Sequence, residues 1–218
     1  AVQTGTNNVA IGSEALLKTT GSFNTATAMN KNTTGERNTT AGGLAVNTTG
    51  SDNTAIGIQA LSAGQTTASR NTAVGMYSLL NNTGSVNTSF GHYALWNGTT
   101  GDYNVAMGNV TLASVTGNYN TGIGASAGNG IVAVSSNTAV GNLAVTIGAS
   151  NNTGVGHAAG YRSTGANNTS FGSLAYYGYD LTSSDNTAFG YKSFGASTVT
   201  GGSNVTVFGA EGIVNTTG

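Results

Sequence analysis

The residues able to do acid–base or metal chemistry are few and scattered. They are Glu14, Glu36, Glu211, Asp52, Asp102, Asp180, Asp185, Lys18, Lys31, Lys192, Arg37, Arg70, Arg162, His92 and His157. General acid–base catalysis needs such groups to converge on one pocket. Here they fall in different copies of a short repeat, mostly in its connectors. Glu36 and Arg37 are adjacent and read as a solvated surface pair. His92 and His157 both follow a repeat glycine, but they stand four copies apart, too far to share a metal. No HExxH and no calcium-type Gly-Asp repeat occurs. "GIGASAG" and "GVGHAAG" come near a dinucleotide loop, but their spacing is wrong and their glycines recur as repeat positions, so they read as turns. The expectation is a protein that is not an enzyme, with no catalytic residue, cofactor or metal.

Binding chemistry is better represented. Tyr77, Tyr93, Trp96 and Tyr103 form one aromatic group, and Tyr176, Tyr177 and Tyr179 another. Tyr77 and Tyr93 hold the same repeat slot, so they are expected to stack. An exposed aromatic ladder can hold sugar rings, which makes these seven residues the candidate glycan or receptor contacts; a stack that only stabilises the fold is the competing reading. Asn-x-Ser/Thr triplets occur often, as at Asn32, Asn38, Asn47, Asn87, Asn97, Asn109, Asn204 and Asn215. The repeat asparagines among them read as ladders bonding one coil to the next, not as glycan acceptors.

Composition limits what positions these groups. Of 218 residues only 6% are charged, against about 25% in an ordinary globular domain. The net charge of -1, with no basic patch, gives no handle for nucleic acid. There is no cysteine, which excludes a disulfide framework and a thiolate metal site. No apolar run is long enough for a membrane helix, so no direct membrane insertion is expected. The absence of proline argues against disorder.

The organising feature is a repeat. Aligned on asparagine, copies begin at Asn8, Asn24, Asn38, Asn53, Asn71, Asn87, Asn104, Asn120, Asn137, Asn152, Asn168, Asn186 and Asn204, with a mean step close to 16 residues. Each reads Asn, Thr or Val, small, apolar, Gly, two variable residues, small, apolar, then a polar connector. Sixteen residues are too few for a helical repeat but hold two short strands and two turns. The residue types agree: Thr, Val, Ile and Phe favour strands, and Gly, Asn and Ser favour turns. The pattern predicts an all-β parallel β-roll, a β-solenoid of about 13 coils with two short strands per coil, as one repeat domain over residues 1–218. The ends fall within the pattern and read as a fragment of a longer fibre.

Strand side chains alternate, so the positions divide into two faces. Position four carries Ile11, Ile56, Val74, Phe90, Met107, Ile123, Val140, Val155, Phe171 and Phe189, and reads as the core face. Position two must then point inward with it; it is Thr in most copies and Val in three, Val9, Val105 and Val205, as an inward site tolerating either would allow. Leu16, Leu61, Leu79, Leu95, Leu112 and Val145 join the core from the second strand. The small residues at position three, Ala10 to Thr206, read as a smooth outer strip against which another copy packs. An inward Thr column also counts against an ice-binding solenoid, which needs outward rows of Thr.

"NTAIGIQAL", "NTAVGMYSL", "NVAIGSEAL" and "NTAVGNLAV" resemble the head repeats of YadA-like trimeric autotransporter adhesins. The longer "NTTGSDNTAIG" and "NNTGSVNTSFG" resemble repeats of phage tail-fibre proteins. The resemblance implies a left-handed roll with three chains side by side, at a cell surface or on a virion tail. Cell adhesion, self-association as a homotrimer or fibre, and contact with a host-surface glycan or protein follow as expectations. The alternative it carries is a tail-fibre shaft or receptor-binding segment.

Overall fold

The computed structural model describes residues 4–16, 19–27, 31–32, 34–42, 46–47, 49–62, 67–97, 100–145, 149–178, 182–194 and 203–211. The chain is an all-parallel β-solenoid, with no helix among the described residues. It divides into two compact units, Ala1–Ala106 and Met107–Gly218.

Unit 1 holds β1 (Val9–Ile11), β2 (Thr25–Thr27), β3 (Lys31–Asn32), β4 (Thr39–Ala41), β5 (Val46–Asn47), β6 (Thr54–Ile56), β7 (Thr72–Val74) and β8 (Thr88–Phe90); β9 (Val105–Met107) falls at the division. Six of these strands pair in the order β1-β2-β4-β6-β7-β8, and β3 pairs with β5, all parallel. Unit 2 holds β10 (Thr121–Ile123), β11 (Thr138–Val140), β12 (Thr153–Val155), β13 (Thr169–Phe171), β14 (Thr187–Phe189) and β15 (Thr206–Phe208), paired consecutively and in parallel. The register sets like residues over like, Thr54 on Thr72 and Ala55 on Ala73 for example. Each coil therefore adds one three-residue rung at the usual spacing of about 4.8 Å.

Which face is the core is the reverse of what position four suggests. Ala26, Ala55, Ala73, Ser89, Ala139, Ser170 and Ala188, all at position three, are buried. Ile11, Ile56, Phe90, Ile123, Phe171 and Phe189 at position four are exposed, Ile56 by 42% and Ile11 by 63%. The Thr column at position two shares that outward face and is half-buried or exposed. The cause is the thinness of the coil. Its interior is already occupied by the leucines, so the facing strand takes Ala, Ser or Gly in most coils, with Thr40 and Val207 the largest residues there. At Gly122 an added Cβ would come within 2.8 Å of Leu112 Cγ. Small residues at position three are thus packing partners inside one chain, not a strip awaiting a neighbour.

Leu16, Leu61, Leu79, Leu95, Leu112 and Val145 are buried as expected. They do not lie on a second strand, however. A second strand is described only at β3 and β5; in the coils whose second half is fully described, the slot is a pair of tight turns. In one such coil Ser78 N–H donates to Gly75 O at 3.3 Å, with Tyr77 left-handed at φ 59, the mark of a type II turn. Leu79 is left-handed as well, at φ 52. A left-handed leucine costs about 1–2 kcal/mol, offset here by complete burial of its side chain.

Two side-chain ladders bond the coils. In unit 1 the backbone N–H of Asn24, Asn38, Asn53, Asn71, Asn87 and Asn104 each donates to the Oδ1 of the preceding repeat asparagine at 2.8–2.9 Å. Unit 2 repeats this from Asn120 to Asn186. The asparagine Nδ2 donates to a connector carbonyl, for example Asn38 to Gly50 O at 2.9 Å. A second ladder, not visible beforehand, runs two residues earlier and in the opposite sense. Ser51 N–H donates to Ser69 Oγ and Ser69 N–H to Ser85 Oγ, at 3.0 and 3.1 Å.

The last copy is shifted by one residue from the sequence alignment. Val205, not Asn204, occupies the asparagine slot, and its N–H donates to Asn186 Oδ1 at 2.9 Å. Thr206 then pairs with Thr187, and Val207 fills the small position at 7% exposure. The extra residue is absorbed at the asparagine because the glycine column cannot give way. Gly209 keeps a φ of 120 and its bond to Phe189 O, a conformation closed to Phe.

Candidate functional site

The aromatic group of unit 1 sits on the turn that follows β7 and β8. Tyr77 and Tyr93 each lie two residues past the motif glycine, and both are left-handed. Their N–H groups donate to Ile58 O and Met76 O, at 3.0 and 3.2 Å, which fixes the two residues one coil apart. The rings stack at 5.0 Å with 12° between planes, as the shared slot requires. Trp96 meets Tyr93 edge-on at 5.1 Å and 72°, and His92 meets it at 4.0 Å and 60°. Tyr103 stands elsewhere, in the left-handed slot just before Asn104, and is about half exposed.

The second group is divided. Tyr176 takes the buried leucine slot and is fully enclosed. Its hydroxyl donates to Ser183 O and accepts from Asn186 Nδ2, both at 3.0 Å, and its ring packs on Phe194 at 4.8 Å. It therefore presents nothing to a ligand. Tyr177 is partly exposed and stacks on Tyr161 at 5.3 Å and 16°. Tyr179 lies outside the described residues.

This geometry bears on what the tyrosines can hold. A sugar packs its C–H surface on an aromatic face. Tyr77 and Tyr93 each turn one face toward the other, which joins two successive coils.

A cluster of charged side chains lies in unit 1. Arg37 straddles Asp52 with Nε on Oδ1 at 2.6 Å and Nη2 on Oδ2 at 3.0 Å, and reaches Glu36 Oε2 at 3.2 Å. The hydrogen bond from Arg37, with its charge, holds the Asp52 carboxyl below the ordinary aspartate range despite some desolvation. The same bond raises Arg37. The pair expected at Glu36 and Arg37 is present, and it extends one coil further to Asp52. It lies on the surface. Among the described residues no group of His, Asp or Glu is arranged to hold a metal.

Of the Asn-x-Ser/Thr triplets, Asn38 and Asn87 are buried in the ladder, out of reach of modification. Asn97, Asn109 and Asn204 are exposed. Asn215 and the side chains of Asn32 and Asn47 lie outside the described residues. What sequence reasoning missed is the outward column at position four, above all Phe171, Phe189 and Phe208. Its signal was present in the invariably small residue next door, which marks a narrow interior.

Compared with known proteins, the chain matches no family model, no curated protein and no solved structure. No helix among the described residues is long and apolar enough to cross a membrane.

Proposed function

We propose that this chain is a non-catalytic structural and adhesive segment of an extracellular surface fibre or adhesin head, acting through reach and display. It works as a lateral assembly of identical copies, for which a closed trimer is the simplest form. The observation that carries this reading is the exposed Ile/Val/Phe column. No charged residue stands at position two or four of any coil, and Ile56, Phe90, Ile123, Phe171 and Phe189 are exposed by 39–48%. An apolar face of this kind marks an interaction surface. A second copy is the natural occupant, because it repeats the same columns at the same rise and can match them coil by coil. Covering that apolar area favours association, less the cost of bringing the copies together. The choice of three copies, and the left-handed roll, rest on the resemblance to adhesin head repeats. A phage tail-fibre shaft would use the same face in the same way. Attachment to a host-surface glycan or protein falls to the sides of the coil left outside the assembly.

Sedimentation equilibrium tests the proposal. The expected mass is three chains, falling to one when Ile56→Thr, Val74→Thr and Phe90→Thr are combined. A parent chain that stays monomeric at every concentration rules the assembly out.

The outward Thr column gives one observation in favour of a second reading, an ice-binding solenoid. Thr25, Thr39, Thr54, Thr72 and Thr88 form an unbroken outward row in unit 1. The bulky column beside most of it, and the single outward Thr in every strand of the row but β2, which carries Thr25 and Thr27, weigh against that use. Thermal hysteresis of the purified chain decides it, and none is expected.

A further inference from the structure

Unit 2 ends its outward column in three phenylalanines, the last residues of β13, β14 and β15, in register one above the next. Phe171 and Phe189 stack at 5.1 Å with 5° between planes, and Phe189 and Phe208 lie at 5.9 Å and 42°. They are exposed by 48%, 48% and 74%. Because the rings stack along the direction in which coils succeed one another, Phe189 has neighbours over both faces. Solvent therefore meets the ring edges of Phe171 and Phe189, while Phe208, tilted and more exposed, opens more of its ring.

That distinction selects a ligand. Aromatic edges carry partial positive charge and aromatic faces partial negative charge. A sugar offers C–H groups of the same polarity as the edges, whereas a flat aromatic molecule offers the complementary face. The flanking columns are uncharged: Thr169, Thr187 and Thr206 on one side, Gly172 and Gly190 on the other. The glycines have no side chain to hold a ligand away. We propose that the Phe171–Phe189–Phe208 ladder is a binding site for a flat, elongated aromatic ligand, lying along the stack with its face across the ring edges. Steps of 5.1 and 5.9 Å suit a molecule of two or three linked rings. The ligand and the lateral assembly proposed above use the same face, so binding belongs to chains not assembled through it, and dilution, which frees that face, should raise it.

Thioflavin T is a suitable probe, titrated into the full chain over a series of protein dilutions and read by its fluorescence. A saturable rise is expected from the soluble chain. Phe189→Thr should weaken it roughly tenfold, since each edge-to-face contact supplies a comparable share of the binding. Phe208→Thr, at the most exposed ring, repeats the test if Phe189→Thr disturbs folding. Tyr77→Thr with Tyr93→Thr in unit 1 should leave the signal unchanged. No rise at any dilution, a rise that sediments with aggregate, equal binding by the Phe variants, or loss in the Tyr control would each overturn the proposal.

Discussion

Asn71 N–H donates to Asn53 Oδ1 at 2.8 Å across an eighteen-residue step, while Asn38 N–H reaches Asn24 Oδ1 at 2.9 Å across only fourteen. Connector length thus varies without disturbing the ladder, because the ladder bonds join asparagine to asparagine whatever number of residues separates them. Each buried asparagine serves a backbone N–H in the next coil and, in most coils, a connector carbonyl through its amide.

Asn53→Ala removes both services at once. It strips the Asn71 N–H of its acceptor and Ala68 O of the Asn53 Nδ2 donor at 3.0 Å. Two buried polar groups left unpaired should cost roughly 2–5 kcal/mol. Thermal unfolding followed by circular dichroism should show a large fall in Tm, with Asn97→Ala on the surface nearly neutral.

Gly75→Ala should be comparably damaging for a different reason. Gly75 has a φ of 127, and a Cβ there would stand 2.5 Å from Gly91 O in the next coil. Neither atom can yield without moving a rung. Loss of the folded chain in soluble expression, with the exposed Asn97→Ala tolerated, is the expected pair of results.

The orientation of the strands separates two neighbouring residues. Ala73 is wholly enclosed and Val74 lies on the outward face. Ala73→Leu should destabilise by about 1–3 kcal/mol or more through overpacking, whereas Val74→Thr should change the stability of a single chain by less than about 0.5 kcal/mol. Urea unfolding of both variants, compared at the midpoint, checks this. A sensitive Val74 and an indifferent Ala73 would mean that the strands face the other way.

That same pair shows what could be read from the sequence. The period, the parallel stacking, the asparagine ladder, the buried leucines and the Tyr77–Tyr93 stack all follow from repetition, since equal slots in successive coils must meet. The direction of each column does not follow. Alternation sorts Thr72 and Val74 from Ala73, but it does not say which set is inside. Assigning the larger residues to the core is sound for a sheet with ample space behind it. A coil already filled by Leu79 and Leu95 has little. Tyr176 likewise looks like its neighbour Tyr177 in sequence, and only the slot, four residues past Gly172, sends it inward. The serine ladder was hidden because Ser51, Ser69 and Ser85 sit in connectors, where serine is expected for its turn preference alone.

Tyr176→Phe probes that inward slot. The ring stays, but the hydroxyl that bonds Ser183 O and Asn186 Nδ2 is lost. The cost should be about 1–3 kcal/mol, from the partners left unpaired. Tyr177→Phe on the surface should be close to neutral. Chemical denaturation of the two variants measures the difference.

Asp52 should report on its pairing through pH. Its carboxyl is held below the ordinary aspartate range, chiefly by the hydrogen bond from Arg37. A lowered folded value means that the unfolded chain binds a proton first as pH falls. The stability contributed by the pair is therefore fully present above the unfolded aspartate pKa and is lost as pH drops through the folded value. Both side chains are about half exposed, so the contribution is small and salt should reduce it. Carboxyl chemical shifts followed by NMR should place the Asp52 midpoint below that of an unpaired aspartate. Arg37→Gln should move the midpoint upward toward the ordinary range, and should remove the acid-side loss of stability that belongs to this pair.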